Sequence, residues 1–211
     1  LIDMGLQFPE EDMPGIDYII PNIKYLQGKE KNVRGVVFTH GHLDHIGAAP
    51  FLLEKLSFPP IVARDLTIAL IKHKQEDYQK GSAKKLKVIR VNSLEDKVKL
   101  GKMTISFFQV EHSIMDAMGV CVETPAGTAI HPGDWTMERD KEGNTRLRYD
   151  ELANTKTRPT ALLLESLGAV SNTRHGTYEE MYDNLYGIIA KATGRVIIGT
   201  FSSQVERVKW V

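Results

Sequence analysis

The sequence predicts an α/β fold in which at least one sheet is mixed. Three observations carry this. Short apolar runs of strand length alternate with stretches that repeat apolar residues at helical spacing. Two such runs are joined by Pro125-Ala126-Gly127, a hairpin signal that adds antiparallel pairing to the alternating order. Finally, three predicted strands are each followed within four residues by a candidate histidine or aspartate ligand, so one sheet edge would gather several of them.

The chain has 211 residues, enough for one large domain or for one domain and part of another. With 42% hydrophobic and 26% charged residues, its composition is that of an ordinary globular protein. Lys plus Arg and Asp plus Glu both number 27, so the net charge is zero. That balance argues against coating a duplex by phosphate neutralisation; nucleic acid would have to be held locally, by a metal and a few placed cations. The single cysteine, Cys121, excludes an internal disulfide and is compatible with a reducing cytoplasm, where the chain is expected to act. Between Val120 and Val122 it reads as a buried small hydrophobe. No window approaches the roughly 18 apolar residues of a membrane helix.

In order along the chain, residues 1–5 read as the end of a strand already under way, with residues expected in front of them. Residues 8–15 are acidic, carry two prolines and form a loop. Tyr18-Ile19-Ile20-Pro21-Asn22 leads into a short helix closed by Gly28. A buried strand follows at 35–38, and apolar positions 46, 49, 52, 53 and 56 then predict a helix over 45–56. Pro59-Pro60 precedes a short strand at 61–63. Asp65 is placed as the N-cap of a helix with Leu66, Ala69 and Leu70 on one face. Strands are predicted at 86–91, 97–100 and 103–110, then at 120–124 and 128–130 across the hairpin turn. Residues 140–146 form a polar loop, and 160–165 a further buried strand. Thr177-Tyr178-Glu179-Glu180 is a capping box opening a helix whose Met181, Leu185, Ile188, Ile189 and Ala192 face a core. Gly194 closes it, 195–199 is a strand, and Ser202 or Ser203 starts another helix.

The chemistry concentrates in Thr39-His40-Gly41-His42-Leu43-Asp44-His45, just after the strand at 35–38. Three imidazoles and one carboxylate within six residues suit Zn²⁺ or Mn²⁺ without any thiolate. Glu111-His112-Ser113 and Gly133-Asp134-Trp135 each follow a strand as well. The set divides into two metals: His40, His42 and His112 hold one, Asp44 and His45 the other, and Asp134 bridges. Such a pair, about 3.5–4 Å apart, lowers the pKa of a shared water and stabilises charge in the transition state. Asp44 could also accept a proton from that water, and Asp3 is placed to orient a ligand imidazole. His73 and His175 read as solvated, His131 as structural and Trp135 as packing.

These residues resemble a family. His40-x-His42-x-Asp44-His45, His112 and Gly133-Asp134 look like the metallo-β-lactamase superfamily of dinuclear hydrolases. Residues 3–11 with Ile19-Ile20-Pro21, residues 39–47, residues 111–119 and Gly133-Asp134-Trp135 narrow the likeness to the ribonuclease J family of the β-CASP group. The resemblance implies a partial αββα sandwich at 1–168 and the start of an inserted β-CASP domain at 169–211. It implies 5′-to-3′ exonuclease action with internal cleavage on single-stranded RNA, a 5′-monophosphate being favoured. It also implies two divalent ions, Zn²⁺ first with Mn²⁺ or Mg²⁺ as alternatives, and a homo-oligomer when complete. Glu165 matches the acidic residue of the first β-CASP motif and is carried over as catalytic, while Ser202 and Ser203 match a segment near the RNA channel.

The sequence departs from the family at Leu43, usually acidic, at Met115, usually proline, and at Glu165-Ser166-Leu167, usually Asp-Ser-Thr. The family's last metal histidine and remaining motifs are expected beyond Val211, which makes this chain a fragment of about two-fifths. Two other readings stand beside a ribonuclease: a hydrolase of a small thioester or lactone using the same metals, and a non-catalytic metal- or RNA-binding remnant.

Overall fold

The computed structural model describes residues 1–137, 140, 142, 144, 161–171 and 176–210. The expectations for Thr160 and His175, and most of the predicted loop at 140–146, lie outside them. Two sheets organise the described chain. The first holds β1 (Val36–Val37), β2 (Ile61–Ala63) and β3 (Val88–Arg90), all parallel. The second holds β4 (Lys97–Leu100), β5 (Met103–Gln109), β6 (Met118–Thr124), β7 (Gly127–His131) and β8 (Ala161–Leu162). It is antiparallel from β4 to β7, and β8 joins β7 in parallel, so the sheet is mixed as predicted.

Strand alternation builds the layers. Successive residues of a strand point to opposite faces. Val36, Ile61 and Ala63 enter one core with Leu52, Leu53, Ile68 and Ile71, beneath α2 (Ala49–Lys55) and α3 (Asp65–Tyr78). Val37 and Val62 point the other way, into a second core with Ile105, Phe107, Met118 and Val120. Helices, parallel sheet and mixed sheet thus stack in that order. A strand buried on both faces reads as an unbroken apolar run, which is why 35–38 and 61–63 were legible.

Residues 1–6 run beside the first sheet. Ile2 bridges Val37 in parallel, the Met4 N–H donates to the His45 carbonyl, and the Leu6 N–H donates to that of Leu43. Gly5 passes so close to the Asp44 carbonyl that a Cβ there would lie 1.6 Å from its oxygen. Only glycine allows this crossing.

Several local expectations change. The helix predicted at 45–56 is two, α1 (Leu43–Ile46) and α2, separated at Gly47-Ala48. The helix before Gly28 is a single 3-10 turn at Lys24–Leu26. Asp65 is the first residue of α3, and Arg64 is its N-cap without a side-chain cap. The buried face of α3 is Thr67, Ile68, Ile71 and Gln75, whereas Ala69 is exposed. β8 is exposed: Leu162, Leu163 and Leu164 lie open among the described residues. The capping box at Thr177 forms with both reciprocal hydrogen bonds and opens α4 (Tyr178–Ala190). The face expected to meet a core instead leaves Met181 and Ile188 exposed. Residues 195–199 form no strand, and the last helix, α5 (Val205–Trp210), begins two residues after Ser203. Among the described residues no helix is long and apolar enough to cross a membrane.

Candidate metal centre

Three loops meet at the carboxyl ends of β1, β5 and β7. The first leaves β1 through Phe38 and Thr39, both buried, and enters α1 with His42 as N-cap. The second, residues 110–117, joins β5 to β6 and carries His112. The third follows β7 and turns at Gly133, whose φ of +69° and approach to the Thr39 side chain both favour glycine. The loops are tied together. The Met118 N–H donates to the Thr39 carbonyl at 3.0 Å, and the Thr136 N–H donates to the Glu111 carbonyl at 2.8 Å.

The histidine donors converge. His42 Nδ1 lies 3.0 Å from His40 Nε2 and 3.0 Å from His112 Nε2. A second group forms from His40, His45 and Asp134, with His45 Nε2 3.2 Å from Asp134 Oδ1. Asp134 Oδ2 is 3.8 Å from His112 Nε2, so its carboxylate spans both groups.

A hydrogen-bond chain assigns the tautomers. The Asp3 carboxylate can only accept. It takes the Thr39 N–H at 2.8 Å, the Thr39 hydroxyl at 2.8 Å and His45 Nδ1–H at 2.7 Å. The Thr39 hydroxyl, having spent its proton on Asp3, accepts from His40 Nδ1–H at 3.0 Å. His40 therefore turns its Nε2 lone pair towards His42 and His112. One carboxylate thus orients His45 directly and His40 through a hydroxyl.

Charge agrees with this arrangement. Burial, reinforced by the neighbouring imidazoles, pushes His40 down to about 2. Burial likewise lowers His112 to about 4 and lowers His42. Burial also lowers His45, but its hydrogen bonds to Asp134 and Asp3 outweigh that and raise it to about 10. The His45 hydrogen bond holds the Asp134 carboxyl at about 2. Three neutral imidazoles whose nitrogens converge, beside an imidazolium–carboxylate pair, fit divalent cations in chemistry: one cation could be held by His40, His42 and His112, and another could replace the His45 proton.

The remaining site candidates stand apart from these two groups among the described residues. Asp44 is the nearest: its side chain is 66% exposed, with Oδ2 3.6 Å from His45 Nε2. Glu165 folds back to accept the Leu167 N–H at 2.5 Å. Ser202 is exposed and Ser203 half-buried, in a turn before α5. His131 accepts the Gly133 N–H at 3.0 Å, a structural contact, and exposed His73 lies 3.4 Å from Asp77. Sequence reasoning gave Thr39 no role. Its signal was its place between the buried strand and the first ligand, but the Asp3 partner is 36 residues away.

This layering, with candidate ligands on three strand-end loops, defines a class, and comparison with known families agrees with it. The metallo-beta-lactamase superfamily description matches residues 1–170, and the chain belongs to that superfamily. Over its whole length it is 34% identical to ribonuclease J of Thermus thermophilus and 31% identical to ribonuclease J 2 of Staphylococcus aureus. It spans 38% and 37% of those relatives, respectively. The likeness to ribonuclease J read from the motifs is thereby borne out. Among solved structures, a protein of unknown function from Enterococcus faecalis V583 has a TM-score of 0.63 at 17% identity. That match covers 99% of this chain and 56% of the other, and it shows the fold alone.

Proposed function

We propose that this chain carries the metal-binding part of a ribonuclease that hydrolyses RNA phosphodiester bonds with two divalent cations, Zn²⁺ by preference. The observation that carries the reading is the convergence of His40 Nε2, His42 Nδ1 and His112 Nε2 beside the His45–Asp134 pair. Its RNA specificity rests on similarity, along the whole of this chain, to just over a third of two ribonuclease J proteins. In this reading His40, His42 and His112 hold one ion, His45 holds the other, and Asp134 reaches both. Bound there, the cations would polarise a phosphoryl oxygen and make water acidic enough to attack near neutral pH.

The chain's own residues supply the rest. Asp3 and Thr39 fix the ring orientations, so the nitrogens are presented without reorganisation. The exposed Asp44 carboxylate, 3.6 Å from His45 Nε2, would contribute to the second ion's shell and accept a proton from the attacking water. Glu165 is assigned a catalytic part by its match to the first β-CASP motif, and Ser202 and Ser203 would meet the RNA backbone. The domain reading follows the same lines: residues 1–168 as the metallo-β-lactamase part and 169–211 as the opening of a β-CASP part. We assign 5′-to-3′ exonuclease action with internal cleavage, 5′-monophosphorylated single strands as substrate, and a cytoplasmic homo-oligomer as the working form.

The test is degradation of 5′-monophosphorylated RNA by protein expressed from its full reading frame, beside His42→Ala and Asp134→Ala. Loss of cleavage and of bound metal in both, with the fold kept, is expected. Cleavage retained by either variant would overturn the site. Metal bound with no nuclease activity, but turnover of a thioester or lactone, would move the protein to the small-molecule hydrolases.

A further inference from the structure

The loop that carries His112 contains an oddity. Asp116 has φ of +65°, a left-handed conformation that is uncommon outside glycine and that a short polar side chain such as aspartate tolerates. Its carboxylate leaves its own loop altogether. Oδ2 accepts the Leu66 N–H at 2.9 Å, and Oδ1 lies 3.4 Å from Arg64 Nη2. Leu66 is the second residue of α3, whose N-cap, Arg64, supplies no side-chain acceptor. The first amides of a helix have no partner within it. Here one of them is satisfied from 50 residues away, by the loop bearing a candidate metal ligand.

The same helix also reaches the first ligand loop. Leu70, one turn on from Leu66, lies so close to Gly41 that a Cβ there would stand 2.5 Å from Leu70 Cδ1. Ile114, two residues after His112 and 4% exposed, faces the same spot: its Cδ1 would stand 3.4 Å from a Cβ at Gly41. The first turns of α3 therefore contact the backbone between His40 and His42 and, through Asp116, the loop of His112. Among the described residues the three imidazoles hydrogen-bond to one another and to Thr39 rather than to α3, yet two of their loops are set against it.

We infer that Asp116 is a positioning residue: its clasp on the start of α3 fixes the His112 loop at the distance from His40 and His42 that a shared cation requires. This rests on the metal reading above and deepens it. The ends of the loop are held by its strands and by Glu111; residues 113–116 have no ladder of their own, and the Asp116 carboxylate supplies their polar tie beside the buried Ile114. Removing the carboxylate would leave β5 and β6 paired and free His112 to drift. Asn at 116 would keep an acceptor oxygen and tolerate positive φ, whereas Gly would keep the backbone and lose the clasp.

The experiment uses the 211-residue chain. Zn²⁺ affinity is measured by competition with a chromophoric chelator, and the Co²⁺-substituted absorption spectrum reports ligand geometry. Asp116→Gly is compared with Asp116→Asn, and with Gln75→Ala as a control. Gln75 is buried near the other end of α3, where its Nε2 donates to Ser82 Oγ at 3.0 Å, remote in sequence from the His112 loop. Asp116→Gly is expected to weaken the tighter site by about 10–100-fold and shift the Co²⁺ bands, as loss of a supporting contact does elsewhere. Asp116→Asn should restore both, and Gln75→Ala should lower the unfolding midpoint without moving the spectrum. Unchanged affinity and spectrum in Asp116→Gly, or equal losses in Gln75→Ala, would overturn the inference and leave the metal reading standing. A wild-type chain that takes up no metal would remove both together.

Discussion

Asp3→Asn isolates the polar network from the backbone. Asp3 sits at φ of +55°, a conformation asparagine accepts as readily as aspartate, so the substitution changes chemistry and little else. The carboxylate accepts three hydrogen bonds, two from Thr39 and one from His45, and its side chain and that of His45 are each 13% exposed. An asparagine oxygen can keep the Thr39 N–H, but its NH₂ then stands where Oδ2 received the other two. Losing one or two charge-assisted hydrogen bonds should lower stability by about 2–4 kcal/mol. The effect on metal is more specific. Facing an N–H donor, His45 must offer a lone pair at Nδ1 and carry its proton on Nε2, the atom turned to Asp134. Metal affinity should fall about 10–100-fold, equivalent to about 1.4–2.8 kcal/mol. Chelator competition measures the affinity, and ¹⁵N–¹H correlation of the His45 ring reads its tautomer. Wild-type affinity with an unmoved His45 ring would refute the orienting role of Asp3.

Other expectations follow from the same contacts. Gly5→Ala would place a methyl 1.6 Å from the Asp44 carbonyl oxygen, backbone against backbone, so urea unfolding should show a loss of about 3 kcal/mol. Leu53→Ala, at a fully buried position between α2 and the parallel sheet, should cost about 2–5 kcal/mol by the same measurement while leaving bound metal in place. The metal-free chain should lose stability as pH falls from about 6.5 towards 4: unfolded histidines take up protons there, while His40 and His112, at about 2 and about 4, do not. His45 acts in the opposite direction and elsewhere: its contribution is complete below about pH 6.5 and fades as pH rises towards 10. The urea midpoint followed against pH should therefore have an acid slope that His112→Ala reduces; an identical slope in that variant would contradict the assignment.

The fold was most legible where a strand is buried on both faces, and least where an element depends on a distant partner. Val36-Val37-Phe38 and Ile61-Val62-Ala63 show an unbroken apolar run, which needs no context to interpret. Asp65 looked like a helix cap because local pattern cannot reveal that Asp116 supplies the acceptor. The face of α3 was misread for a related reason. Thr67 and Gln75 are buried there, and polar residues carry no periodic apolar signal. The apolar positions of α4 and 160–165 were identified correctly as residue types. Hydrophobic pattern tells which face seeks cover and not whether cover is present, so Ile188 and Leu162 are exposed among the described residues. At the site, the clustering of His40, His42, His45, His112 and Asp134 could be anticipated from strand ends alone. The strand-end pattern also set Asp44 beside His45 with Asp134 across both groups; in the fold Asp134 Oδ1 lies 3.2 Å from His45 Nε2, and Asp44 Oδ2, 3.6 Å from that same atom, belongs to a side chain mostly in solvent.

Anomalous scattering at the zinc edge from Zn²⁺-loaded crystals of this chain tests the central claim most directly. The account predicts two peaks, one among His40 Nε2, His42 Nδ1 and His112 Nε2, and one against His45 Nε2 and Asp134. No peak at these atoms, or a single peak elsewhere on the surface, would contradict it.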